Sequence, residues 1–208
     1  RYLMLIIIDY GIGNLSSIKN MLKKIGVDSI ISNKEEDIIN ADKLIVPGVG
    51  HFDYGMQHLN ESGLVDALNE KVLHKKTPVL GICLGVQLLT ESSEEGKGKG
   101  LGWIKGKTVA FDKTKLDANH KIPHMGWTDI KGFGQSQLFT GMYDEPRFYF
   151  VHSYHLQLDN HADVLATANY GYDFAIGIEH ENILGVQFHP EKSHKFGMKL
   201  LENFVKYY

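Results

Sequence analysis

The N-terminal half of the chain alternates short apolar runs with segments whose apolar positions recur at helical spacing. LMLIIID (residues 3–9) reads as a buried strand. GIGNLSSIKNMLKKIG (11–26) follows, with Leu15, Ile18, Leu22 and Ile25 on one helical face and a stop at Gly26. DSIIS (28–32) predicts a second strand, EEDIINA (35–41) a short helix, and KLIVPG (43–48) a third strand closed by Pro47 and Gly48. A long helical stretch faced by Leu59, Leu64, Leu68 and Val72 leads to a fourth strand, PVLGI (78–82), and a helix over about 84–91. Strand and helix in alternation predict a parallel sheet covered on both faces.

Beyond GKGKGLGW (96–103) the runs become shorter and more aromatic: TVAFD, RFYFVHSY, DVLATANY, FAIGIEH and NILGVQFH. These are expected to extend the same sheet as antiparallel or mixed strands, with a last helix, KFGMKLLENFVKYY, over one face. No repeat, low-complexity segment or long linker divides the chain. The expectation is one α/β domain over residues 1–208, a three-layer fold whose central, mostly parallel mixed sheet is flanked by helices.

Composition narrows the function. With 208 residues and 43% hydrophobic content, folding buries roughly 70% of the surface of the unfolded chain, enough for a core without staples. Basic residues number 22 and acidic ones 25, a formal charge of −3 with no basic tract, which argues against nucleic-acid binding. The apolar run near the N-terminus ends at Asp9 with no cleavage signal after it, and nothing approaches the roughly 20 apolar residues of a membrane span. The expected location is the cytoplasm, where a lone thiol stays reduced. The chain opens on Arg1, which makes Met4 a candidate natural start.

That lone thiol is Cys83, which forbids an intrachain disulfide and a multi-thiolate zinc site. It leaves a buried small hydrophobe, a redox-sensitive thiol or a nucleophile. In PVLGICLGVQLL the cysteine stands between Gly81 and Gly85, where a buried strand runs into a helix. This is the nucleophile elbow G-x-S-x-G with cysteine in place of serine, and the helix N-terminus beyond it favours a thiolate. A nucleophile needs a base, and the base an orienting group. VQFHPEKS (186–193) offers His189 and, two residues on, Glu191; in extended chain such positions share a side, and Pro190 between them resists helix formation. For an oxyanion, the Leu84 N–H follows the nucleophile, and IVPGVGHF (45–52) ends a neighbouring strand in a loop whose Gly48, Val49 and Gly50 N–H groups are candidates.

PGVGHF, GICLGVQLL and FHPEKS, in this order and in a chain of this length, resemble class I (triad-type) glutamine amidotransferases. Within that class the resemblance is to glutaminase subunits of imidazole glycerol phosphate synthase; DYGIGNLSS, ESSEEG, KIPHMGW and YFVHSYH support it. The resemblance implies that Cys83 attacks the glutamine carboxamide, while His189, held by Glu191, protonates the departing ammonia and then activates water. It places Gly48, Gly50, Gln87, Glu95, His152, Ser153 and Tyr154 around glutamine, and backbone N–H groups near Val49 and Leu84 at the oxyanion. It further implies a heterodimer in which ammonia passes to a (β/α)8-barrel cyclase, with Asn14, Met125, Trp127 and Lys192 near the interface. No cofactor or metal is implied. His155 stands where an aromatic residue is more usual and Tyr10 where many relatives have proline, and YGYDFAIG (170–177) with EKSHKFGM (191–198) resembles a paralogous branch that feeds ammonia to a sugar-amidating barrel. A catalytically silent regulatory subunit and a free-standing γ-glutamyl hydrolase are the remaining alternatives, and the intact Cys83, His189 and Glu191 speak against silence.

Two weaker signals are set aside. Gly11-Ile12-Gly13 after a strand lacks the third glycine, Ser16 standing in its place, and the following strand ends without an acid for a ribose. The pairs His152/His155 and His189/His194 lack the context of a known metal site.

Overall fold

The computed structural model describes residues 2–208; Arg1, ahead of the candidate start at Met4, lies outside the described residues. Strand β1 (Leu5–Ile8) leads to α1 (Leu15–Lys24), β2 (Ile30–Ser32), α2 (Glu35–Asn40) and β3 (Lys43–Val46). The long helical stretch is not continuous. It forms α3 (Phe52–Glu61), turns at Ser62 and Gly63, where φ is +74°, and resumes as α4 (Val65–Asn69) with one π-helical turn over Glu70–His74. Strand β4 (Val79–Ile82) and the short α5 (Leu84–Leu88) complete the first half.

The next seven strands depart from expectation by building a sheet of their own. They are β5 (Ser92–Ser93), β6 (Gly106–Ala110), β7 (His124–Lys131), β8 (Arg147–His152), β9 (Tyr154–Leu158), β10 (Thr167–Tyr170) and β11 (Tyr172–Ala175), in the order β5-β6-β9-β11-β10-β7-β8. The physical reason lies in their side chains. Strands β1, β3 and β4 are buried at every position, as suits a sheet covered on both faces, whereas β7 alternates buried with exposed residues and needs solvent on one side. Only β12 (Gly177–His180) and the fully buried β13 (Ile183–Val186) return to the first sheet, before α6 (His194–Tyr207).

That first sheet runs β12-β13-β4-β3-β1-β2, all parallel except the β12–β13 pair. One apolar cluster packs α1 and α6 against it, joined by Phe148, Phe150 and Phe174 of the second sheet; another lies under α3, α4 and α5. The carboxyl ends of β1, β3, β4 and β13 therefore lie on one edge, where open α/β sheets bind ligands. Among the described residues no helix is long and apolar enough to cross a membrane.

Candidate active site

Cys83 sits where β4 meets α5 with φ 55° and ψ −114°, a conformation a side-chain-bearing residue rarely holds. The neighbouring glycines make it feasible. A Cβ at Gly85 would fall 1.9 Å from the Val46 carbonyl oxygen, and one at Gly81 would fall 2.8 Å from Cα of Val86. Any other residue at either position would push strand and helix apart. The Cys83 N–H donates to the Val186 carbonyl at 2.9 Å, which ties the elbow to β13.

Beyond β13 the chain bends at Gln187 and Phe188. His189 is extended, but Pro190–Lys192 closes into a single 3-10 turn, so Glu191 reaches the ring through a turn and not through the alternation of an extended chain; Pro190 stands at the start of that turn, where its fixed φ fits. His189 Nδ1 lies 2.6 Å from Glu191 Oε1, with both side chains 1% exposed. Ser193 Oγ donates to the His189 carbonyl at 2.6 Å, and the His189 N–H donates to the Tyr149 carbonyl at 2.9 Å, so the turn is held from two sides. His189 Nε2 is buried without a hydrogen-bond partner and is the ring nitrogen left for proton transfer. Burial works to lower the imidazole pKa, but the adjoining Cys83 and Glu191 outweigh it and hold the ring at about 9.

A cavity of about 360 Å³ opens on Cys83 and His189. The structure brings Val49, Gly50, Leu84, Gln87, Glu95, His152, Ser153 and Tyr154 to its wall, with Gly48 one residue removed. Gln187, Pro123 and Val151 also line it, and sequence reasoning missed all three. The one signal for Gln187 was its place two residues before His189 in VQFH. Glu95 is engaged at the N-terminus of α3, accepting from the Phe52 N–H at 2.6 Å. The Leu84 N–H donates to the Gly48 carbonyl at 3.1 Å, so one candidate oxyanion donor is bonded to the very loop that should supply the other.

Asn14, Met125, Trp127 and Lys192 fall on the surface around this edge. Met125 is 60% and Trp127 43% exposed, while His124 beside them points inward. Trp127 stacks on His194, and Lys192 Nζ lies 5.8 Å from the Tyr149 ring centroid. Asn14 reaches inward as well: its Nδ2 donates to Glu191 Oε1 at 3.4 Å.

The histidines set opposite pH limits. His189, held near 9 against an ordinary 6.5, contributes stability that is complete below about pH 6.5 and lost as pH rises through 9. Burial pushes His152 down to about 3 and His124 to about 4; they stay neutral while the unfolded chain takes up protons, so stability falls as pH drops from 6.5 toward 4. Urea unfolding across pH should therefore show a maximum near 6.5, and His124→Asn should flatten the acid limb. An acid limb of unchanged slope in that variant would contradict the neutral-histidine assignment.

A thiol on a strand-to-helix elbow, with a carboxylate-paired histidine just beyond the adjacent strand and a small cavity in front, gives this α/β protein the geometry that suits a cysteine nucleophile. The particular family follows from comparison: the chain belongs to the class-I glutamine amidotransferases, whose family model matches residues 6–207. It is 56% identical over 203 residues to imidazole glycerol phosphate synthase subunit HisH 2 of Methanococcus maripaludis, covering 98% of this chain and 99% of that protein. It is 49% identical over 205 residues to the HisH subunit of Sulfurimonas denitrificans, covering 98% of each. Among solved structures, PurLQS from Thermotoga maritima superposes with a TM-score of 0.72 at 18% identity, covering 100% of this chain and 99% of that one. The glutaminase domain of Trypanosoma brucei CTPS with bound acivicin gives a TM-score of 0.67 at 15% identity, covering 98% and 94%. At such identities these structures share the fold with this chain.

Proposed function

We propose that this chain is the glutaminase subunit of an imidazole glycerol phosphate synthase, hydrolysing glutamine and handing ammonia to a (β/α)8-barrel cyclase in a cytoplasmic heterodimer. The observation that carries the reading is the Cys83 elbow facing a buried His189–Glu191 pair at 2.6 Å across a cavity sized for one amino acid. Cys83 Sγ, its proton already held by His189, attacks the carboxamide carbon. The carbonyl oxygen becomes an oxyanion between the Leu84 and Val49 N–H groups. His189 then protonates the departing nitrogen, ammonia leaves, and a glutamyl thioester remains. A water that gives its proton to His189 hydrolyses the thioester, releasing glutamate and restoring the thiolate. Glu191 keeps the ring oriented and stabilises the imidazolium between steps. Gly48, Gly50, Gln87, Glu95, His152, Ser153 and Tyr154 hold the amino acid.

The exposed Met125 and Trp127 give the partner an apolar footing beside the site, with Asn14 linking that rim to Glu191 and Lys192 offering a charge. The sugar-amidating alternative is not favoured: the relatives at 56% and 49% identity both carry the name of imidazole glycerol phosphate synthase subunits. The test is reconstitution. Mixed with a barrel cyclase and its phosphoribulosyl-formimino nucleotide, the chain should form a heterodimer that converts the nucleotide with glutamine as nitrogen donor. Failure to associate or to support glutamine-dependent turnover would refute the assignment.

A further inference from the structure

The polar side chains behind the nucleophile have only one self-consistent arrangement. The Tyr154 carbonyl can only accept, so His152 Nδ1 at 2.7 Å and Gln87 Nε2 at 3.4 Å must both donate to it. In the neutral ring His152 Nε2 is then an acceptor, filled by His124 Nδ1 at 2.8 Å, and His124 Nε2 accepts from the Thr128 hydroxyl at 2.8 Å. On the other side Gln87 Nε2 also donates to Gln187 Oε1 at 2.8 Å. That fixes the second amide: the Gln187 nitrogen is turned to Cys83 Sγ, 3.9 Å away.

Gln187 is wholly buried, and its backbone N–H donates to the Ile176 carbonyl at 2.7 Å, so the amide has little room to turn elsewhere. A thiol is a weak acceptor, and an N–H aimed at one contributes little. A thiolate is a charged acceptor, and the same N–H then makes a charge-assisted bond in a site where unpaired charge is costly. We infer that Gln187 is a further catalytic residue, whose side-chain N–H stabilises the Cys83 thiolate while its oxygen holds Gln87 against the cavity. The inference rests on Cys83 being the nucleophile of the proposed glutaminase.

Because Cys83 is the only cysteine, its labelling by iodoacetamide reports on it directly, with neither glutamine nor partner present. Gln187→Glu keeps an oxygen for Gln87 and replaces the N–H beside the sulfur with a second carboxylate oxygen; Gln187→Met removes both groups at similar volume. The pH of half-maximal labelling should rise by about one unit in Gln187→Met, matching a tenfold weaker thiolate, and further in Gln187→Glu. In the reconstituted complex kcat for glutamine should fall about tenfold or more, with KM less affected. A Gln187→Glu chain that melts like the parent and labels with the parent's pH profile would overturn the inference and leave the amide as a holder of Gln87. A shifted profile supports the inference whatever the hydrolysis assay shows. Absence of hydrolysis by the parent complex, with labelling normal, would sink the glutaminase reading instead.

Discussion

Cys83→Ala should lower glutamine-dependent turnover of the complex by roughly 10⁴-fold or more while ammonium-dependent turnover continues. The two halves of that result have different causes. The thiol makes and breaks the bond to the carboxamide carbon, and no other side chain around the cavity can replace it: Ser153 lines the wall, but the elbow, the α5 N-terminus and His189 converge on position 83. Ammonium supplied from solution bypasses this chemistry, and the substitution is small enough to preserve the strand-to-helix turn set by Gly81 and Gly85. The assay compares product formation with glutamine and with ammonium at matched concentrations of complex. Retained glutaminase activity would mean that the nucleophile is misassigned; loss of both activities would mean that the fold or the docking surface had been damaged.

What the sequence disclosed and what it hid follow from one physical difference. Strands β1, β3 and β4 are buried on both faces and so read as unbroken apolar runs, and the elbow after β4 is marked by two glycines at fixed offsets. TVAFD, RFYFVHSY and DVLATANY alternate instead, and an alternating run fits the edge of a mixed sheet as well as a separate one. Only their long-range pairing decides, as with Thr108 opposite Leu156 and Met125 opposite Val151. The break in the long helix was legible at Ser62-Gly63. The family resemblance drew the cavity wall from scattered segments, but it did not reach Gln187, because an amide just past the end of an apolar strand carries no motif of its own. Nor did it show that Asn14, expected at the rim, also touches the carboxylate that orients His189.

The isolated chain should hydrolyse glutamine slowly, and binding of the loaded barrel should raise the rate by ~10²–10³-fold, the worth of one oxyanion donor. The Leu84 N–H is bonded to the Gly48 carbonyl, and the preceding carbonyl, of Pro47, accepts from the buried Tyr10 hydroxyl. In a trans peptide the C=O and the following N–H point in opposite directions, so while the Gly48 oxygen faces Leu84 the Val49 N–H faces away. One rotation of that peptide plane frees the Leu84 donor and swings the Val49 donor toward the same place. Gly50, already at φ +104°, supplies backbone freedom on the far side of Val49. Tyr10 opposes the rotation. Burial pushes its phenol above the ordinary tyrosine range, with Cys83 adding to the shift, so it stays a donor at every working pH. Tyr10→Phe should therefore raise the basal rate and shrink the stimulation by the partner. Steady-state glutaminase assays on the free chain, the binary complex and the loaded complex make the comparison, and full activity of the free parent chain would end the gated-oxyanion account.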